Sequence, residues 1–180
     1  SGTAFARQMD SIRRYYPAAA QTEAMHVNYY YDTPDGALNQ ENITLRIRQK
    51  EQTLAGKVKW HHGQQKPEQG GFISSEYSFI CECLPQIIDY EGKLAVLQGV
   101  LITKRSSFLI VPGVKMDFDR NYYWGICDYE VEIEFDDNKG SIAADLVKRF
   151  GLSMPSPKSK SARFFETKQT MDLCMQIGAR

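Results

Sequence analysis

Net charge is what this sequence most plainly lacks: 22 Lys and Arg balance 22 Asp and Glu over 180 residues. A non-specific binder of nucleic acid or membranes carries a basic excess over its whole surface, so the balance argues against that class. Long apolar runs are missing too. Stretches such as Phe108 to Val111 are far too short to cross a bilayer, and neither a secretory signal nor a lipidation motif is visible. Cysteine is sparse and unpatterned. Cys81 and Cys83 lie two apart, Cys127 and Cys174 stand alone, and there is no Cys-x-x-Cys or zinc-spaced histidine. Reduced cysteines in a cytoplasmic protein are expected, not a disulfide frame or a metal knuckle. With no internal repeat, low-complexity tract or linker, residues 1–180 read as a single α+β domain.

What the chain does have is alternation. Leu45-Arg46-Ile47-Arg48, Lys57-Val58-Lys59-Trp60, Met116-Asp117-Phe118-Asp119 and Glu130-Val131-Glu132-Ile133-Glu134-Phe135 each place a charge at every second residue. Successive side chains of a strand point to opposite faces, so each segment has one charged and one apolar face. Two segments are basic and two acidic. A solvated strand face usually mixes signs, whereas a single-sign face repels itself unless opposite charge lies across it. If the sheet closes, the charged faces line a lumen that is wet or filled with counter-ions. The apolar faces (Leu45, Ile47, Val58, Trp60, Val131, Ile133, Phe135) then lie under helices.

The chemistry of the two kinds of face is complementary. Arg46 and Arg48 bring planar forks suited to phosphate oxygens, while Lys57 and Lys59 bring compact point charges. Asp117, Asp119, Glu130 and Glu132 are hard oxygen donors of the type Mg²⁺ and Mn²⁺ prefer. A polyphosphate with its divalent cation fits such a pair of walls.

Around these segments, helical spacing predicts a helix over 4–16, and Pro17 stops it. Strands are expected at 25–32, 43–51, 54–61, 72–80, 100–111, 114–122 and up to Phe135, with turns at Thr33-Pro34-Asp35-Gly36, Pro112-Gly113 and Trp124-Gly125. The polar stretch 62–71 is expected as a mobile loop. Residues 84–98 suggest one or two short helices. Ser141 is expected to cap a helix through Phe150 with Gly151 at its end, and a last helix follows Pro155 and Pro157, over about 159–176.

Taken in order, these segments resemble the CYTH family, the triphosphate tunnel metalloenzymes, which includes class IV adenylyl cyclases, thiamine triphosphatases and inorganic triphosphatases. The likeness starts at Tyr30-Tyr31-Asp32-Thr33-Pro34-Asp35 and takes in Leu45-Arg46-Ile47-Arg48 and Lys57-Val58-Lys59. It continues through Thr103-Lys104-Arg105-Ser106, Phe118-Asp119 and Glu130-Val131-Glu132, and ends at Ser159-Lys160 with Arg163-Phe164. The resemblance implies an eight-stranded antiparallel β-barrel tunnel with covering helices. Arg46, Arg48, Lys59, Arg105 and Lys160 would grip the triphosphate, with Lys57 and Arg163 beside them. Asp119, Glu130 and Glu132 would hold Mg²⁺ or Mn²⁺. Asp117 shares their strand face, Glu76 is a looser match, and Glu134 would sit at the tunnel mouth. Lys59, Arg105 and Glu132 are the expected catalytic set. One departure stands out: the family's N-terminal Glu-x-Glu-x-Lys strand has no counterpart here. The chain opens Ser1-Gly2 without methionine, and truncation is the expected reason. Without that strand the barrel has an open edge.

Several tempting residues read more simply. His61-His62 alternate in direction and lack a third ligand, so they form a loop edge and no metal pair. Tyr29-Tyr30-Tyr31 and Tyr122-Tyr123-Trp124 are expected to pack. Cations at Lys158 and Lys160 sit poorly at a helix start unless an anion binds there, which favours a ligand role for Lys160. The leading expectation is metal-dependent hydrolysis of inorganic triphosphate, thiamine triphosphate or a nucleoside triphosphate. A class IV-type adenylyl cyclase and a non-catalytic polyphosphate-binding module are the alternatives. The expected partner is a small-molecule triphosphate, with no nucleic acid or membrane, for a monomer or homodimer.

Overall fold

The computed structural model of the chain describes residues 1–66, 71–152 and 158–178, the side chains of 62–66 and 71–74 excepted. Its elements are α1 (Gly2–Tyr15), β1 (Ala20–Asp32), α2 (Ala37–Gln40), β2 (Ile43–Lys50), β3 (Thr53–Lys66), β4 (Gly71–Cys81), β5 (Ile87–Tyr90) and β6 (Lys93–Val111). After these come β7 (Val114–Tyr123), β8 (Ile126–Phe135), a 3₁₀ turn (Asp137–Lys139), α3 (Gly140–Arg149) and α4 (Lys160–Gly178). The eight strands form one antiparallel sheet ordered β4-β3-β2-β1-β6-β7-β8, with β5 paired on β6. This is the expected architecture. Among the described residues no ladder joins β4 to β8, so the path is open at both ends.

Three local expectations are corrected. Residues 84–98 hold β5 and the start of β6 in place of short helices, because Glu91 (φ 52°) and Gly92 (φ 80°) form a left-handed two-residue turn. That turn has the twist that joins adjacent strands, and Asp89 Oδ1 accepts the Gly92 N–H at 2.8 Å. The loop expected over 62–71 is corrected at both ends: β3 runs to Lys66 with a register shift after His62, and β4 starts at Gly71. Residues 67–70 of that loop, like Pro155 and Pro157, lie outside the described residues. Ser141 does not cap α3. The 3₁₀ turn, closed by Lys139 N–H to Asp136 O at 2.8 Å, starts the winding earlier and makes Lys139 the cap position. Gly151 does end α3 as expected, at φ 55°, with Leu152 N–H on Val147 O and Gly151 N–H on Lys148 O.

The chain divides into two compact units, one of Ser1–Met25, Thr103–Tyr122 and Ile126–Met154, the other of His26–Ile102, Tyr123–Gly125 and Pro155–Arg180. In the first unit α1 lays Phe5 and Ile12 on Phe108, Ile110, Val114, Met116 and Phe118, with Leu146 of α3 beside them. Val131 and Ile133 pack on this core as expected, whereas Phe135 is 46% exposed.

The second unit buries Leu45, Ile47 and Val58 with Tyr31, Leu38 and Ala95. Here the apolar face is covered by α2 and the β5–β6 hairpin, so helices cover it only in part. Each fully buried Leu or Ile contributes about 1.5–3 kcal/mol. Gly56 lets the Phe79 ring in, since a Cβ there would come within 2.1 Å of it. A buried carboxylate, Asp32, starts α2 by accepting the N–H groups of Thr33, Leu38 and Asn39 at 2.7, 2.8 and 3.0 Å. All four cysteines are free. No described helix is long and apolar enough to cross a membrane.

Candidate functional site

Alternation on β2 puts Thr44, Arg46 and Arg48 on one face of the second unit, opposite the face that carries Ile43, Leu45 and Ile47 into the core. The antiparallel register sets Arg46 between Tyr30 and Lys57, and Thr44 beside Lys59, which in turn pairs with Glu76. Like charges directly across a ladder repel. Arg46 and Lys57 therefore share a cross-strand position that favours an anion.

Glu76 answers part of that demand, accepting hydrogen bonds from Lys57 and, at 3.2 Å, from Lys59. Burial alone would raise its pKa, but the two ammonium groups outweigh burial and bring it down from 4.5 to about 2. Arg48 Nε donates to Asn28 Oδ1 at 2.9 Å, and Asn28 Nδ2 to Leu101 O at 3.2 Å. Half-buried Arg46 makes neither a hydrogen bond nor an ion pair among the described residues.

Helix α4 docks on the same face. Thr44 Oγ1 donates to Ser161 Oγ at 2.9 Å and lies 3.1 Å from His61 Nε2, while Ser159 Oγ accepts the Ala162 N–H at 3.2 Å as an N-cap. Behind these contacts Phe164 is fully buried, its ring centroid 4.7 Å from Tyr30 and 5.5 Å from Trp124. Lys160 and Arg163 thus start a helix fixed to β2. The tyrosine clusters pack as expected, with Tyr30, Tyr31 and Tyr123 buried.

In the first unit β7 turns Lys115, Asp117, Asp119 and Asn121 to one face, away from Met116 and Phe118 in the core. Asp117 and Asp119 are fully buried. They persist there because Arg105 reaches them from β6: Nε donates to Asp119 Oδ1 at 2.7 Å, and Nη2 to Asp119 Oδ2 at 2.6 Å. Nη1 donates to Asp117 Oδ2 at 2.5 Å, and Nη2 also to Glu132 Oε2 at 2.6 Å. Burial opposes the charge on Arg105, yet its hydrogen bonds to Asp119 and the surrounding carboxylates raise its pKa above the usual arginine value. Lys115 bridges Asp117 at 3.1 Å and Glu134 at 2.9 Å, and these two partners outweigh burial to raise its pKa. Further along, Thr103 donates to Asn121 and Asn121 to Asp128, both at 2.8 Å.

The expected residues are thus sorted by unit. Asp117, Asp119, Glu132 and Arg105 come together, and Glu130 follows on the same face of β8 as Glu132. Arg105, expected among the phosphate ligands, is engaged by carboxylates. Glu76, expected among the metal ligands, is engaged by lysines. Lys115, Thr44, Ser161 and Asn28 were not anticipated. Two of them carried a signal, since Lys115 continues the alternation of Asp117 and Asp119, and Thr44 that of Arg46 and Arg48.

A divalent cation fits the acidic face. One oxygen each from Asp117, Glu132 and Glu134 lies within 4.8 Å of the others, hard donors suit Mg²⁺ and Mn²⁺, and buried Asp117 Oδ1 has no hydrogen-bond partner among the described residues.

Residues 9–165 match the CYTH domain family. No curated protein matches the sequence. In fold the chain is similar to a candidate adenylate cyclase of Bacillus halodurans, with 20% identity, a TM-score of 0.65 and 92% of each chain covered. It is also similar to an adenylyl cyclase candidate of Hippeastrum described as having a dominant triphosphatase activity. There the identity is 18%, the TM-score 0.68, and the coverage 92% of this chain and 91% of that one. A Pyrococcus horikoshii protein follows at 11% identity and TM-score 0.58, with 88% and 92% covered. At these identities the likeness is one of fold.

Proposed function

Because this chain belongs to the CYTH domain family, we propose that it hydrolyses a small-molecule triphosphate with the help of Mg²⁺ or Mn²⁺. The observation that carries this reading is the half-buried Arg46, which has no anionic partner among the described residues although it stands across the ladder from Lys57. An arginine held there is a vacant fork for phosphate oxygens.

In this reading Arg46, Arg48, Lys57, Lys59, Lys160 and Arg163 bind the phosphates and neutralise charge on the transferring oxygens, the main task in phosphoryl transfer. Asp117, Glu132 and Glu134 hold the divalent cation, with Asp119 and Glu130 next to them on the same strand faces. When bound, that cation supplies Lewis-acid polarisation of a phosphoryl group and activation of water. Lys59, Arg105 and Glu132 are the proposed catalytic residues.

Two observations support our preference for hydrolysis over cyclisation. The Hippeastrum relative is described by its triphosphatase activity. In the second unit Tyr30, Tyr123 and Phe164 are 1%, 6% and 0% exposed and pack on one another, so none of these three rings offers a face to a nucleobase.

The test is incubation of the protein with tripolyphosphate, thiamine triphosphate or ATP, each with Mg²⁺, Mn²⁺ or EDTA, followed by assay of orthophosphate, pyrophosphate and cyclic AMP. Metal-dependent orthophosphate release is expected and ranks the substrates. Pyrophosphate with cyclic AMP replaces the proposal with a cyclase. No product, with tripolyphosphate still raising the melting temperature, replaces it with a binding module.

A further inference from the structure

Arg105 spends its donors in an unusual way. Its fork grips both oxygens of buried Asp119 at 2.7 and 2.6 Å, and its remaining reach goes to Asp117 Oδ2 at 2.5 Å and Glu132 Oε2 at 2.6 Å. Asp117 and Glu132 are also two of the three residues whose oxygens converge within 4.8 Å, with Glu134 as the third. Guanidinium and divalent cation would therefore draw on the same carboxylates.

The ion pairs show the same crowding. Arg105 lies within ion-pair distance of Asp117, Asp119, Glu132 and Glu134, and Lys115 of Asp117 and Glu134. Asp117 is lopsided as well: Oδ2 receives both Arg105 and Lys115, while the buried Oδ1 has no hydrogen-bond partner among the described residues. Burying a carboxylate oxygen without a partner is costly, and coordination would relieve it.

We infer that Arg105 is a resident counter-ion of the acidic face. It holds Asp117 and Glu132 in the metal-free protein and yields them to a divalent cation while its fork stays on Asp119. Arg105 thereby sets the metal affinity by competing for two ligands, and metal binding frees its Nη groups for an incoming anion. This rests on the reading that the acidic face holds a divalent cation. A lysine at 105 keeps the charge but has no planar fork to span Asp119, Asp117 and Glu132 together, so it separates competition for ligands from simple charge repulsion.

The experiment is titration of the whole protein with Mn²⁺, free Mn²⁺ being read by electron paramagnetic resonance and heat by calorimetry, for wild type, Arg105→Gln and Arg105→Lys. Circular dichroism and a melt for each variant show that it is folded. Competition predicts Mn²⁺ affinity raised about tenfold or more in Arg105→Gln and several-fold in Arg105→Lys. Charge repulsion alone leaves Arg105→Lys equal to wild type while Arg105→Gln tightens, and that result overturns the inference. So does weaker binding in both variants, which would make Arg105 an organiser of the carboxylates. If wild type and both variants bind no Mn²⁺ at millimolar concentration, the metal-dependent reading fails with it. Binding by wild type with no gain in the variants removes only this inference.

Discussion

Removing the Phe164 ring tests directly whether the docking of α4 sustains the cation face of the second unit. Phe164 is fully buried and touches Tyr30, Trp124, Phe165 and Tyr123, with ring centroids 4.7, 5.5, 5.2 and 6.1 Å away. It also lies against backbone: a Cβ built on Gly99 would come within 2.9 Å of its Cζ. A buried Phe→Ala change costs about 3–5 kcal/mol in lost transfer and cavity, and several lost aromatic pairs push it towards the upper end. About 4 kcal/mol is expected for Phe164→Ala, a fall in melting temperature of about 8–16 °C for a chain of this size. Phe164→Leu, closer in volume, should lose less than about 1.5 kcal/mol. Urea denaturation followed by far-UV circular dichroism measures both. Lys160 and Arg163 sit on the same helical turn, so tripolyphosphate should raise the melting temperature of Phe164→Leu more than that of Phe164→Ala. A loss below about 1.5 kcal/mol in Phe164→Ala would refute the close packing inferred here. Equal ligand-induced shifts would refute the link to the cations.

Other outcomes follow from single residues. Glu76→Gln should bind tripolyphosphate several-fold tighter by calorimetry, because it removes the carboxylate that engages Lys57 and Lys59. Since folding lowers the Glu76 pKa from 4.5 to about 2, its ionised form adds stability that is fully present above pH 4.5 and lost as pH falls through about 2. With 36% of the side chain exposed, the contribution is about 1 kcal/mol or less. Glu76→Gln should flatten the acid limb of a pH-dependent melt by that amount. Arg46→Ala should weaken tripolyphosphate binding about 10–100-fold, as expected for losing charge-assisted hydrogen bonds. The same change should leave stability within about 1 kcal/mol, since Arg46 has no hydrogen-bond or ion-pair partner among the described residues to lose. Asp32→Ala leaves three N–H groups of the α2 start without their acceptor. It should cost about 3 kcal/mol in urea denaturation, with no direct effect on anion binding.

The hairpin of β5 and β6 shows where local reading fell short. Its turn, Glu91-Gly92, is a two-residue signal of the kind that closes hairpins, but the mixed apolar spacing of 84–98 drew attention to helical periodicity instead. Glu76 and Arg105 show a different limit. Both were recognised as candidate ligand residues, and each is already engaged by protein groups of the same sign as the ligand it was expected to meet, carboxylates on Arg105 and lysines on Glu76. Strand alternation specifies the face a side chain occupies and leaves open which of several neighbours across strands it will reach.

What the sequence determined by itself is therefore periodic: seven of the eight strands, their order of charge, and the separation of a charged face from an apolar one. Period-two alternation is a property of the backbone, and a one-residue slip would move every apolar side chain out of the core. Tertiary structure alone decided the partners. Arg105 lies 14 residues from Asp119 and 27 from Glu132, and Ser161 lies 117 from Thr44. Contacts of that separation depend on strand pairing and helix docking, and the choice among them follows from the need to leave no buried charge without its counter-ion.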